Sequence, residues 1–121
     1  MKIRNSKLNT KRFAAEAKSL EIRTLQQMLD EFGDIIEELT KQVVVEEEHT
    51  GIFDASHFAY STFARAAVQR RANLYSSIAD LKVKLEKTTN EYNKILIEIE
   101  LAEKPYEHES YKPLLNSPAL T

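Results

Sequence analysis

The amino-acid sequence predicts an all-α protein in which two long helices form an antiparallel coiled-coil hairpin. Two stretches of the chain carry apolar residues at alternate steps of three and four residues, which is the heptad spacing of a coiled coil. The chain of 121 residues also contains only 2 Gly and 3 Pro, too few for the many turns of a sheet. We therefore expect one helical domain rather than a layered fold.

The first heptad pattern predicts a helix near residues 7–48. Its apolar seam consists of Ile22, Leu25, Leu29, Phe32, Ile36, Leu39 and Val43. Upstream of Ile22 the same spacing meets Lys18, Ala15, Lys11 and Leu8. Ser6 or Asn9 can cap the start of this helix, because both side chains accept hydrogen bonds from free backbone amides. Gly33 lies off the seam and indicates either a locally less stable point of the helix or a point where another segment approaches its backbone closely.

The second heptad pattern predicts a longer helix near residues 58–104. Its seam consists of Ala64, Ala67, Arg71, Leu74, Ile78, Leu81, Leu85, Thr88, Tyr92, Ile95, Ile99 and Ala102. Gly51 suits the left-handed position after the first helix, and Asp54, Ser56 or Ser61 can cap the second. Pro105 ends it. Residues 1–104 are thus expected to form the hairpin and residues 105–121 a loosely held tail.

Charge is distributed unevenly along the chain, and this favours the antiparallel orientation. Residues 1–23 carry 7 Lys or Arg against 2 Asp or Glu, whereas residues 24–50 carry 1 against 8. Folding at the turn places the acidic end of the first helix beside Arg65, Arg70 and Arg71. On the seam, Arg71 needs an acidic partner such as Glu37 or Glu38. In a parallel arrangement of the helices, like charges would lie beside each other and disfavour that orientation.

The sequence offers little catalytic chemistry. It contains no Cys, and its three His residues lack the spacing of a zinc pair. No Gly-rich phosphate loop is present. We therefore expect no enzymatic activity, no catalytic residue, no metal and no cofactor. Without a secretory signal or a run of about 20 apolar residues, a cytoplasmic protein with no stable membrane insertion is expected.

The basic segment of residues 1–23 raises a further hypothesis, the binding of nucleic acid or of an anionic lipid surface. We expect its charge to be neutralised inside the hairpin by Glu91, Glu98, Glu100 and Glu103. The prediction is therefore that the chain binds no nucleic acid.

Residues 57–74 differ from the rest because they combine aromatic residues, small residues and two adjacent arginines. Phe58, Tyr60 and Phe63 are expected mainly to cap the open end of the hairpin. Gln69 and Arg70 lie off the seam and are candidate contacts for a partner.

The end of the second helix is apolar around most of its circumference, and one partner helix cannot cover it. Two explanations are compatible. Ile3, Leu8 and Phe13 wrap this surface with help from Leu114 and Leu115 of the tail, or the surface binds another protein. The predicted partner-binding residues are Gln69, Arg70, Leu96, Ile97 and Leu101.

The order of these features resembles the FliJ proteins of alphaproteobacterial flagellar systems. The resemblance covers roughly residues 1–104 and is most distinctive in residues 57–74, which include His57-Phe58-Ala59-Tyr60, a run of small residues and Gln69-Arg70-Arg71. Ser61 departs from the family pattern, which favours proline there; the departure bears on where the second helix starts and leaves the expected fold unchanged.

The resemblance implies a non-enzymatic component of the flagellar type III protein export apparatus, at the cytoplasmic side of the inner membrane. Such a protein acts as the coiled-coil stalk in the ring of the export ATPase, much as the γ subunit does in rotary ATP synthases. Implied partners are the export ATPase, the export gate proteins and substrate chaperones. The alternative is a coiled-coil adaptor or dimerising scaffold unrelated to secretion, and a homo-oligomer is compatible with either.

Overall fold

A computed structural model of the chain describes residues 2–104, without the side chains of Lys2 and Arg4. Helix α1 comprises Lys2–Thr50 and helix α2 comprises Thr62–Glu103. The predicted all-α helical hairpin is therefore confirmed. The predicted tail, residues 105–121, lies outside the described residues.

Both predicted helices have somewhat different starts in the structure. Helix α1 begins at Lys2, so Ser6 and Asn9 lie inside it and cap nothing. The Ser6 carbonyl instead accepts a hydrogen bond from Thr10 Oγ1 at 2.9 Å. Since no proline or glycine precedes residue 33, nothing in the sequence stops the helix from extending to Lys2.

The chain forms two compact units, which are described separately. The turn unit comprises Arg23–Glu86, and the terminal unit comprises Met1–Ile22 with Lys87–Thr121. In the turn unit, buried side chains of Leu39, Val43 and Ala67 form a core against which Ile35, Val68 and Leu74 pack. In the terminal unit, Ala15 and Thr88 are buried. All of these except Ile35 and Val68 belong to the predicted seams.

The predicted seams describe the burial pattern well. Every seam residue of both helices, including Lys11, Lys18 and Arg71, is buried or half-buried. Ala64 is completely buried and Leu25 and Leu39 are each 4% exposed. Small residues at the start of α2 leave room for the backbones to approach, whereas the larger seam residues farther along α2 remain partly exposed because two helices cannot enclose them.

Leu39→Ala is expected to lower the free energy of unfolding by about 2–4 kcal/mol, because it removes a buried side chain and leaves a cavity. Leu81→Ala should lower the free energy of unfolding by less, because Leu81 is a seam residue that is only half-buried. Leu101→Ala provides the matched control, since Leu101 is 66% exposed. Chemical denaturation measures all three. Equal losses for Leu39 and Leu101 would contradict the burial of Leu39 in the core.

Gly33→Ala is expected to stabilise the protein by up to about 1 kcal/mol, because Ala forms helix more readily than Gly. A Cβ atom at Gly33 would meet nothing within 4 Å, which excludes the closely approached point suggested by the sequence. Gly51→Ala should have the opposite sign, since Gly51 has a φ of +74°. Thermal melts of the two variants test this; a destabilised Gly33→Ala would show that the glycine has another role.

Candidate partner-binding surfaces

The turn between the helices is held by local hydrogen bonds from side chains. Gly51 donates its backbone N–H to the Glu47 carbonyl at 2.8 Å, which closes the last turn of α1 as predicted. Asp54 Oδ1 accepts bonds from both the backbone N–H and the hydroxyl of Ser56, at 2.9 and 2.7 Å. These bonds, that of the Ser56 hydroxyl most of all, lower the pKa of the Asp54 carboxyl because they stabilise its ionised form.

Ser61 caps α2 and connects it to the acidic end of α1. Its hydroxyl oxygen accepts a bond from the backbone N–H of Ala64 at 3.1 Å, which is the bond of an N-terminal cap. The same hydroxyl donates to Glu46 Oε1 at 2.9 Å. Helix α2 therefore starts at Thr62 rather than near residue 58, because residues 54–60 use their polar groups in local turns. A proline at position 61 could not make either bond.

Tyr60 anchors the turn to the body of the turn unit. Its side chain is 5% exposed, and its hydroxyl donates to Glu47 Oε2 at 2.8 Å. The guanidinium of Arg65 lies 5.4 Å from the centre of its ring, within the range of a cation–π interaction. The hydrogen bond to Glu47, helped by desolvation, raises the pKa of Tyr60.

The expected aromatic cap at the open end of the hairpin is only partly correct. Tyr60 is buried, but Phe63 is 57% exposed and Phe58 is 95% exposed. Phe58 stacks on the His57 ring with centroids 4.8 Å apart, and His57 Nδ1 accepts the backbone N–H of Ala59 at 2.9 Å. Phe53 is also 62% exposed. The turn thus presents exposed aromatic rings on a segment fixed by hydrogen bonds, a feature that sequence reasoning missed because heptad spacing does not extend through the turn.

The structure places Gln69 and Arg70 on the surface of the turn unit. Both side chains are exposed, and Gln69 Nε2 donates to Asn73 Oδ1 at 3.1 Å. The neighbouring Arg71 is half-buried, as its seam position predicts. Its predicted pairing with Glu37 or Glu38 is wrong, however. Arg71 Nη1 donates to Thr40 Oγ1 at 3.0 Å, and Glu37 pairs with Lys41 at 3.6 Å on its own helix.

The apolar residues near the end of α2 are exposed in the terminal unit. Leu96 is 40% exposed, Ile97 58% and Leu101 66%. Wrapping by the start of α1 does not cover this surface, since Ile3 and Phe13 are themselves exposed and only Leu8 is half-buried. Leu114 and Leu115 lie outside the described residues.

The terminal unit also contains the predicted ion pairs between the two helices. Lys18 Nζ lies 3.0 Å from Glu91 Oε1, Arg12 Nη2 lies 2.7 Å from Glu103 Oε2, and Lys11 Nζ lies 3.6 Å from Glu98 Oε1. The hydrogen bond between Lys18 and Glu91 raises the pKa of Lys18 and lowers that of Glu91. Glu100 pairs instead with Lys104, at 3.2 Å on the same helix.

The described residues offer two further findings. No group of three or more His, Asp or Glu within residues 2–104 is arranged to hold a metal ion. Nor does either described helix have a stretch apolar enough, over the length required, to cross a membrane.

These observations define a two-helix antiparallel coiled-coil protein with exposed apolar side chains in both of its units. Comparison with protein-family models, with curated proteins and with solved structures gives no match.

Tyr60→Phe is expected to make the protein less stable at neutral pH and to change the pH dependence of its stability. Because the folded-state pKa of Tyr60 is raised, its contribution is fully present below the unfolded pKa of about 10 and is lost as the pH rises through the folded value. The difference in urea midpoint between wild type and variant should therefore stay constant from neutral pH to about pH 9 and shrink above about pH 10.

Tyr75→Phe is the control, since Tyr75 is 56% exposed. A difference between wild type and Tyr60→Phe that does not change with pH would mean that the bond to Glu47 makes no contribution in solution.

Proposed function

We propose that the chain is a non-enzymatic coiled-coil protein of the flagellar type III export apparatus, which serves as a stalk for the export ATPase and as an escort for substrate chaperones. The supporting observation is the exposure of Gln69, Arg70, Leu96, Ile97 and Leu101, all off the seams, on a hairpin whose seam residues are buried or half-buried. The likeness of residues 57–74 to FliJ proteins supports the choice of partner. In this proposal the ATPase chemistry belongs to the partner.

Arg and apolar side chains suit the contacts that a stalk needs. The guanidinium of Arg70 can make two parallel hydrogen bonds to a carboxylate of the partner. Ile97 and Leu101 can stabilise the complex further, because their apolar side chains would be removed from water when they pack against the partner. The proposed location is the cytoplasm, at the inner-membrane base of the flagellum.

The ion pairs of the terminal unit support a protein partner over nucleic acid. Lys11, Arg12 and Lys18 lie within ion-pair distance of Glu98, Glu103 and Glu91, respectively, so three of the seven Lys and Arg of residues 1–23 are already paired with carboxylates. Strong binding to phosphate requires free cations and weakens steeply with salt. Salt-resistant binding to the export ATPase, with no retention on DNA or anionic vesicles, is the behaviour that the proposal requires.

Arg70→Glu and Ile97→Asp are each expected to weaken binding to the purified export ATPase or gate protein by about tenfold or more, which corresponds to about 1.4 kcal/mol. Leu96→Asp should act in the same direction, with some loss of stability because Leu96 is only 40% exposed. The measurement is a binding titration, with circular dichroism melts recorded for each variant.

Arg23→Glu and Val83→Asp are the matched controls, since both residues are exposed and lie outside the proposed contact set. They should bind like wild type. If the wild-type chain binds neither the ATPase nor the gate protein, the export assignment is wrong. Capture of unrelated coiled-coil partners from the native cytoplasm would then favour the adaptor or scaffold function.

A further inference from the structure

Helix α1 of the terminal unit carries a second stripe of uncharged residues besides its seam. This outer stripe consists of Ile3, Ser6, Thr10, Phe13, Ala17 and Leu20. They follow alternate steps of three and four residues, which is the spacing of a coiled-coil surface. All six residues are exposed, with Ile3 at 73%, Phe13 at 69% and Leu20 at 57%.

The outer stripe lies on the opposite side of α1 from the seam. Thr10, Phe13 and Ala17 each follow a seam residue by two positions, which is about 200° around the helix axis. The seam residues Lys11, Ala15 and Lys18 are buried or half-buried, so the outer stripe is not part of the same contact. The hydroxyl of Thr10 donates to the Ser6 carbonyl at 2.9 Å, so covering the stripe would not leave this donor without an acceptor.

We propose that the outer stripe is a self-association surface, which packs antiparallel against the outer stripe of a second copy of this chain. The spacing identifies a helix as the occupant, and the charges beside the stripe identify which helix. Lys7, Ala14 and Glu21 follow one edge at intervals of seven residues. This edge is basic at its start and acidic at its end, which is the pattern of a surface complementary to itself when inverted.

The antiparallel register proposed is the one that brings Lys7 of each chain opposite Glu21 of the other; Ile3 and Ser6 then face Gln27 and Thr24 of the second copy, outside the outer stripe. When Phe13 packs against Ala17 of the second copy, Thr10 packs against Leu20 of that copy. Lys7 of each chain then faces Glu21 of the other, which gives two attractive pairs. On the other edge Glu16 faces its own counterpart, one repulsive pair. A parallel arrangement would instead bring Glu16 of each chain to Glu21 of the other, and both of those pairs repel.

Lys7 and Glu21 are accessible for these contacts. The Lys7 side chain is exposed. Glu21 is 3.9 Å from Lys18, but the closer partner of Lys18 is Glu91, at 3.0 Å. The stripe contains only three large apolar residues, so the association should be weak and should depend on protein concentration.

Analytical ultracentrifugation of the full chain over a wide concentration range tests the proposal. Wild type should pass from monomer to dimer as the concentration rises. Phe13→Asp should weaken dimerisation by at least tenfold, and Lys7→Glu by roughly fivefold to tenfold because two attractive pairs become repulsive. Val83→Asp is the control for an exposed apolar residue elsewhere, and it should dimerise like wild type.

The double variant Lys7→Glu with Glu21→Lys decides the orientation. It exchanges the two charges and so restores both pairs of the antiparallel arrangement, and dimerisation should return to within about twofold of wild type. Circular dichroism melts verify that each variant is folded. A wild-type protein that stays monomeric, a Phe13→Asp variant that dimerises normally, or a double variant as weak as Lys7→Glu would each overturn the proposal.

Discussion

Packing of the two helical seams is the interaction on which the rest of the structure depends. Neither helix can bury its apolar side chains alone, and helices in proteins gain most of their stability from such packing rather than from propensity. In the turn unit the seam contains the core of Leu39, Val43 and Ala67. In the terminal unit it contains the buried Ala15 and Thr88. Every surface discussed above is defined by its position relative to these seams.

Polar side chains add ion pairs and hydrogen bonds to the packing of the seams, and these differ between the two units. In the terminal unit, Lys and Arg of α1 meet Glu of α2 in partly exposed ion pairs that add little energy singly but disfavour a wrong orientation. In the turn unit the acidic end of α1 instead accepts hydrogen bonds from the hydroxyls of Tyr60 and Ser61. These bonds fix the turn, and they explain why Phe58 can remain exposed on an ordered segment.

The exposed apolar residues are the basis of both proposals for partners of this chain. A two-helix hairpin encloses no large core, so its specificity must come from what it leaves on the surface. The residues proposed for the export partners all belong to α2, whereas the outer stripe of the terminal unit belongs to α1. In the two proposals, the two helices therefore serve different contacts.

The sequence by itself determined the fold class, the seam residues and the antiparallel orientation, because heptad spacing and charge distribution are periodic properties that a linear pattern records. It also predicted the left-handed conformation of Gly51 after α1 and named Ser61 as a candidate cap of α2. Only the tertiary structure decided which partner Arg71 takes, because Thr40, Glu37 and Glu38 all lie within four residues of one another on α1 and differ only in the direction of their side chains. It likewise decided that Tyr60 is buried while Phe58 is exposed, since the path of a turn depends on local hydrogen bonds that have no periodic signature.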